Sequence, residues 1–119
     1  MGSFTIERDA PTAVVICRVE GFLNDEEALR LAQDWRTALI SARRADPTLR
    51  LLFDNSRGGV ASPKSAKAMG DATRDLWREG DRVAVLTPNS LAKVQAKRTM
   101  TTGGQVFISE KAARMWLSA

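Results

Sequence analysis

Between Arg82 and Leu117 the chain carries a short apolar run, Arg82-Val83-Ala84-Val85-Leu86, then a helix-like segment, then Gln105-Val106-Phe107-Ile108, then Ser109 to Leu117 with helical spacing. Strand, helix, strand, helix is the simplest reading. Two strands joined through a helix run parallel, because a tight hairpin serves only antiparallel neighbours. The second half therefore predicts an α/β fold built on a parallel sheet with crossover helices.

The first half adds a hairpin. Phe4-Thr5-Ile6-Glu7-Arg8 alternates apolar and polar, the period of a strand with one face inward. Asp9 to Thr12 is turn chemistry, and a second strand, Ala13 to Val19, follows at hairpin distance. The first strand then lies at an edge, which would permit a homodimer by edge pairing, while Arg8 and Pro11 discourage it. After Gly21, Asn24 to Glu27 has the form of a capping box. The helix it opens places Ala28, Leu31, Ala32, Trp35 and Leu39 on one face, and ends at Arg43-Arg44 before Asp46-Pro47. Leu49 to Phe53 reads as the third strand and Asp54 to Gly59 as a loop. Ser62-Pro63 caps a second helix running to about Glu79. Asp81 to Thr87 is the fourth strand. Thr87-Pro88 or Asn89 caps a third helix that Gly103-Gly104 ends, and Val106 to Ile108 is the fifth strand. Ser109 caps a last helix whose Ala112, Ala113, Trp116 and Leu117 return to the sheet. The expected architecture is a mixed sheet of about five strands, antiparallel at its N-terminal hairpin and otherwise mainly parallel, with four helices.

With 119 residues and 44% hydrophobic content, the chain has material for one core, so residues 1–119 are expected to form a single domain. No run approaches the roughly 18 apolar residues of a membrane span, and the first residues lack a basic then apolar leader. Met1-Gly2-Ser3 does not complete an acylation signal, which wants Ser or Thr where Ile6 stands. The expected location is cytoplasmic, with peripheral contact at the inner face of the membrane as an extension. A net charge of +4 and a pI near 9.8 favour an anionic partner: nucleic acid, a lipid headgroup or an acidic protein.

The chain has neither His nor Tyr, and its single Cys17 lies in an apolar run as a small hydrophobe. Histidine-dependent acid–base work, a Ser-His-Asp triad and a His/Cys metal cluster are excluded, and neither a metal set nor a cofactor motif is evident. Asp54, at the carboxyl end of a strand, is the best carboxylate candidate, against a structural role capping the amides of Ser56 and Arg57. Arg57-Gly58-Gly59 with Lys64 could approach an anion, though the spacing matches no phosphate-binding fingerprint. On the second helix Ala66, Met69, Thr73 and Leu76 share one side with Trp77 beside them. Lys64, Lys67, Arg74 and Arg78 share the other, interrupted by Asp71 and Asp75. Lys93, Lys97 and Arg98 of the third helix could extend that basic face. Behind it, Met69, Leu76, Trp77, Leu91 and Val94 are expected to line an apolar groove for a lipid or other apolar small molecule. Nucleic acid ranks lower as a partner, because the strand aromatics Phe4, Phe53 and Phe107 read as core and no stacking signature surrounds them.

Several words of the sequence carry a family resemblance: Val19-Glu20-Gly21-Phe22, Leu51-Leu52-Phe53-Asp54, Gly80-Asp81-Arg82-Val83-Ala84-Val85-Leu86, and Val106-Phe107 with Ser109-Glu110, Ala112-Ala113 and Trp116-Leu117. With the order β-β-α-β-α-β-α-β-α, this resembles the SpoIIAA-like family of STAS-type domains, over about Phe4 to Leu117. The resemblance implies a small non-enzymatic α/β module, related to anti-anti-sigma regulators, that acts by binding a protein partner, a lipid or a small ligand. It also implies a phosphorylatable serine at the start of the helix after the third strand. Ser62 and Ser65 stand there, in Ala61-Ser62-Pro63-Lys64-Ser65. The Asp and Gly of the family's Asp-Ser-Ser-Gly type word are missing, and Ser62 before proline also suits simple capping. The sequence thus favours a binding module acting through its second and third helices, with a phosphorylation-switched antagonist of a kinase-like partner as the alternative.

Overall fold

The computed structural model describes residues 2–59, 62–98 and 103–119. Along the chain the elements are β1 (Ser3–Arg8), β2 (Val15–Gly21), α1 (Asp25–Ala45), β3 (Arg50–Gly58), α2 (Pro63–Thr73) with a 3-10 turn at Arg74–Leu76, β4 (Arg82–Leu86), α3 (Ser90–Lys97), β5 (Gly104–Phe107) and α4 (Glu110–Ser118). The strands lie in the order β1-β2-β3-β4-β5. β1 pairs antiparallel with β2, and every later pair is parallel. The expected class and strand count are the observed ones.

This strand order decides where the helices go. Three successive crossovers each step one strand in the same direction, and right-handed crossovers of that kind place their helices on one face of the sheet. That face receives α1, α2 and α3, and α4, following the last strand, returns over the other. Strand alternation fills both sides. Val15, Cys17, Val19 and Leu51 meet Leu31, Trp35 and Leu39 of α1. Val14, Ile16, Leu52, Ala84 and Leu86 meet Ala113 and Leu117 of α4. Each fully buried leucine in these layers contributes about 1.5–3 kcal/mol relative to exposure.

The helix starts follow the sequence. Asn24 accepts from the Glu27 amide while Glu27 reaches back to the Asn24 amide, completing the capping box. Ser62, Asn89 and Ser109 cap α2, α3 and α4. Of the two caps considered for the third helix, Asn89 fills the position.

Three expectations need correction. Residues 54–58 are not loop but the end of β3, because the parallel ladder with β2 resumes after a bulge, Glu20 against Arg57 and Gly21 against Gly58. The second helix stops at Thr73 instead of continuing to Glu79. Arginines of α1 take the carbonyls there, Arg36 at Ala72 and Arg43 at Leu76, and Trp77 turns extended to lead the chain toward β4. Ala112 is exposed, whereas Ala113 and Leu117 are buried and Trp116 is half-buried against the α4-side core. The third helix ends at Lys97, and residues 99–102 lie outside the described residues. No helix among the described residues is long and apolar enough to cross a membrane.

Candidate functional site

The α1-side face is incompletely filled. α2 packs on α1 and not closely on the sheet, and α3 packs against β5 at the edge. Between α2 and the strands a cavity of about 380 Å³ remains. Its walls come from Val19 of β2, Leu23 in the connection that follows it, Leu31 and Trp35 of α1, Phe53 and Asn55 of β3, Val83 and Val85 of β4, and Met69, Gly70, Thr73 and Trp77 around α2. Ala96 of α3 and Arg74 complete the rim. Trp35 meets Phe53 edge-on with centroids 6.0 Å apart, giving the floor a rigid aromatic corner. The lining is mainly apolar, and its polar members are held in place: the Thr73 hydroxyl donates to the Met69 carbonyl, and Arg74 pairs with Asp71 at 3.1 Å. That suits a ligand recognised chiefly by shape and apolar area.

Of the residues expected to form an apolar groove, Met69 and Trp77 line this cavity, and Leu76 packs on the adjoining core. Leu91 and Val94 do not join them. They point outward, 69% and 52% exposed. Their three-residue spacing does put them on one side of α3, but the protected side carries Ala92 and Ala96. Trp35, Phe53, Val83 and Val85 were absent from the expected groove. The signal was present, since the alternation of β4 puts Val83 and Val85 on one face, the face that receives Trp35.

Asp54 lies on the opposite face. Its carboxylate accepts from the Ser56 amide at 2.9 Å and from Arg18 at 2.6 Å, so the amide-capping role holds for Ser56. Arg18 also bonds Glu110 at 2.8 Å, and Arg114 bonds Glu110 at 2.9 Å. Burial pushes the Asp54 carboxyl upward, but the Ser56 and Arg18 hydrogen bonds outweigh it and hold the group below its ordinary range. The Arg18 hydrogen bond, with help from Arg114, brings Glu110 down to about 2. A carboxylate so tightly bonded is a poor proton acceptor, and the cluster joins β2, β3 and α4. The clue to it was Arg18 itself, a cation inside an apolar strand that needs partners when half-buried. Cys17, beneath the α1 layer, is pushed up to about 12 by burial, with Asp54 adding to the effect, which leaves the thiol protonated.

The glycine segment is equally occupied. Gly58 pairs with Gly21 in the ladder, and the Gly59 amide donates to the Gly21 carbonyl at 2.9 Å, while Arg57 and Lys64 are exposed. On the basic face Lys67 and Arg74 both pair with Asp71, and Asp75 pairs with Arg36. Arg78, Lys97 and Arg98 are exposed and Lys93 is half-buried. At the start of α2, Ser62 Oγ lies 3.0 Å from Asp25 Oδ1 and 2.9 Å from Ser65 Oγ, and Ser65 Oγ lies 3.2 Å from the same carboxylate oxygen. Both hydroxyls thus converge on α1. Among the described residues no group of His, Cys, Asp and Glu has the arrangement of a metal site.

No family model and no curated protein matches the sequence. Solved structures do match in three dimensions. The unphosphorylated form of the anti-sigma factor antagonist SpoIIAA superposes with a TM-score of 0.67 at 15% identity, covering 95% of this chain and 94% of that one. A protein of the DUF3478 family with a SpoIIAA-like fold, from Shewanella loihica PV-4, superposes with a TM-score of 0.68 at 19% identity, covering 98% of this chain and 93% of that one. At such identities the likeness speaks to fold, and with the strand order and helix placement above it is decisive on that point: the chain has a SpoIIAA-like fold.

Proposed function

We propose that this chain is a single-domain, non-enzymatic STAS-like binding module whose cavity between α2 and the sheet takes an apolar small molecule. The observation that carries the proposal is the cavity itself: about 380 Å³ walled by Leu31, Trp35, Phe53, Met69, Trp77, Val83 and Val85. A well-packed core of this size holds few voids larger than a water molecule, and an apolar hollow with aromatic walls favours an apolar guest over water. A lipid tail is one such guest. The exposed Leu91 and Val94 beside Lys97 and Arg98 would then serve approach to an anionic membrane surface or a partner protein, on a cytoplasmic protein.

The test is uptake. Native mass spectrometry of gently purified protein, set against the denatured mass, reads any retained small molecule and the subunit count together. N-phenyl-1-naphthylamine, a neutral apolar fluorophore, then probes the hollow directly. Its emission should rise on binding, and the rise should vanish in Val85→Trp, which fills the cavity. No retained mass, together with no emission change in the unsubstituted protein, would remove the proposal.

A second reading is favoured by the Ser62, Ser65 and Asp25 contacts. SpoIIAA is an anti-sigma factor antagonist solved in an unphosphorylated form, and Ser62 here caps α2 where an added phosphoryl group would meet the positive end of the helix dipole. Asp25 would oppose it. Phosphorylation would therefore loosen the start of α2 from α1 and alter what the module binds. Incubation with candidate kinases followed by peptide mass mapping tests this, and an unmodified Ser62 and Ser65 throughout would count against it.

A further inference from the structure

The α4 side of the sheet carries a second hollow, an open trough of about 670 Å³ between α4 and the β1–β2 hairpin. Buried Val14 and Leu117 form its floor. Pro11 and Met115 stand on opposite rims, and Met115 is 64% exposed although it is a large apolar side chain. Arg50, Lys111 and Arg114 line the same trough together with one carboxylate, Glu110, which Arg18 and Arg114 neutralise. Arg114 is held by Glu110, whereas Arg50 and Lys111 make no ion pair among the described residues.

The hairpin rim is built under strain. Ala13 sits at φ +61°, a left-handed conformation that costs a residue with a Cβ about 1–2 kcal/mol. Two backbone bonds hold it there: the Ala13 amide to the Asp9 carbonyl at 2.7 Å, and the Asp9 amide to the Val14 carbonyl at 2.8 Å. The Thr12 hydroxyl bonds the Asp9 carboxylate beside them. The result fixes Pro11 and Thr12 over the trough instead of leaving them in a relaxed turn. Strained backbone held by its surroundings is found preferentially where a surface has a task.

We infer that this trough is a docking surface for an acidic amphipathic segment of a partner protein. One apolar anchor would rest on Val14 and Leu117 between Pro11 and Met115, with flanking carboxylates meeting Arg50 and Lys111. A flexible Met beside a fixed rim suits an interface that adapts to its anchor, and apolar anchors with flanking charges are the usual grammar of a segment laid in a groove. The charges argue against a second copy, since a two-fold pairing through this face would bring Arg50 and Lys111 of both chains together. The surface is concave, which disfavours a membrane. This docking is independent of the cavity under α2, which lies across the sheet.

The test uses the full chain and a short labelled peptide with Leu at helical spacing flanked by Glu, read by fluorescence anisotropy and by amide chemical-shift mapping. Two control peptides replace every Glu by Lys or every Leu by Ser. The acidic amphipathic peptide should bind in preference to both, shift Val14, Met115 and Leu117, and lose about tenfold in affinity with Arg50→Glu plus Lys111→Glu. Both positions are exposed, so the charge-reversed protein is expected to melt like the parent, and Met115→Ser supplies an independent variant. Equal binding of the Lys peptide, shifts confined to α2, or affinity untouched by both variants would overturn the inference. So would a dimer in sedimentation that either variant dissociates, since the face would then be occupied by the chain itself.

Discussion

The two faces of the sheet are filled by opposite means. On the α4 side one short helix presses Ala113 and Leu117 directly onto Leu52, Ala84 and Leu86, and a chain of charges from Asp54 through Arg18 to Glu110 locks its first turn. On the other side three helices are available, yet α2 rests on α1 and leaves space above Phe53, Val83 and Val85. Over the middle strands β3 and β4, more helix has given less filling, and the trough on the α4 side lies out by the hairpin. Spare volume under α2 arises from where a crossover helix finds its contacts: arginines of α1 hold the carbonyls at the end of α2 and draw that helix toward α1 instead of the strands.

That contrast can be broken most directly by deleting side chains. Leu52→Ala, on the filled face, should cost about 2–5 kcal/mol in urea denaturation, because nothing nearby can collapse into the gap. Val83→Ala, beside the existing cavity, should cost about 1 kcal/mol. Equal losses would mean that α2 closes on the sheet in solution. The reverse experiment adds volume. Ala84→Leu on the filled face should lose about 1–3 kcal/mol through overpacking, while Val85→Leu on the cavity side should stay within about 1 kcal/mol and lower uptake of the naphthylamine probe. A severe loss in Val85→Leu would show that the space does not persist.

A smaller effect separates the helix caps. Ser62→Ala should cost about 1 kcal/mol and Ser109→Ala a similar amount, since each removes one side-chain acceptor for a helix amide. Ser62→Ala should also speed amide exchange at the start of α2, because it removes one of the two hydroxyl contacts to Asp25 and leaves only that of Ser65. The smallest effect lies in acid. Glu110 titrates at about 2 in the folded protein, below its ordinary 4.5, so its contribution is complete above the ordinary value and is lost as pH falls from there toward 2. Partial exposure weakens the effect. Arg18→Gln should flatten the fall in thermal stability between pH 5 and pH 2, and a slope unchanged by that substitution would place the acid sensitivity at Asp81, which two Arg43 contacts and the Leu49 and Arg78 amides hold below its ordinary range against its burial.

Much of the fold was legible because its signals are local. Strand alternation in Phe4–Arg8, the capping box at Asn24–Glu27 and the serine caps at 62 and 109 each state a backbone conformation within four or five residues. The errors came where a local signal met a distant partner. Asn55-Ser56-Arg57-Gly58 has turn composition, yet β2 supplied a strand to pair with, and backbone pairing prevailed over residue preference. The helical pattern of Arg74–Glu79 was real, but Arg36 and Arg43 intercepted the carbonyls it needed. On α3 the larger side chains were expected to face inward, and the small Ala92 and Ala96 do so instead.

From the sequence alone follow the α/β class, the five strands with one antiparallel hairpin, the four capped helices and the absence of histidine chemistry, since periodicity, caps and composition are properties of neighbouring residues. Three-dimensional packing was needed to tie Asp54 to Arg18 and Ser56, to turn Leu91 and Val94 outward, and to leave an apolar cavity between α2 and β3–β4. Those facts depend on which helix packs on which surface, and that is settled by contacts between residues tens of positions apart.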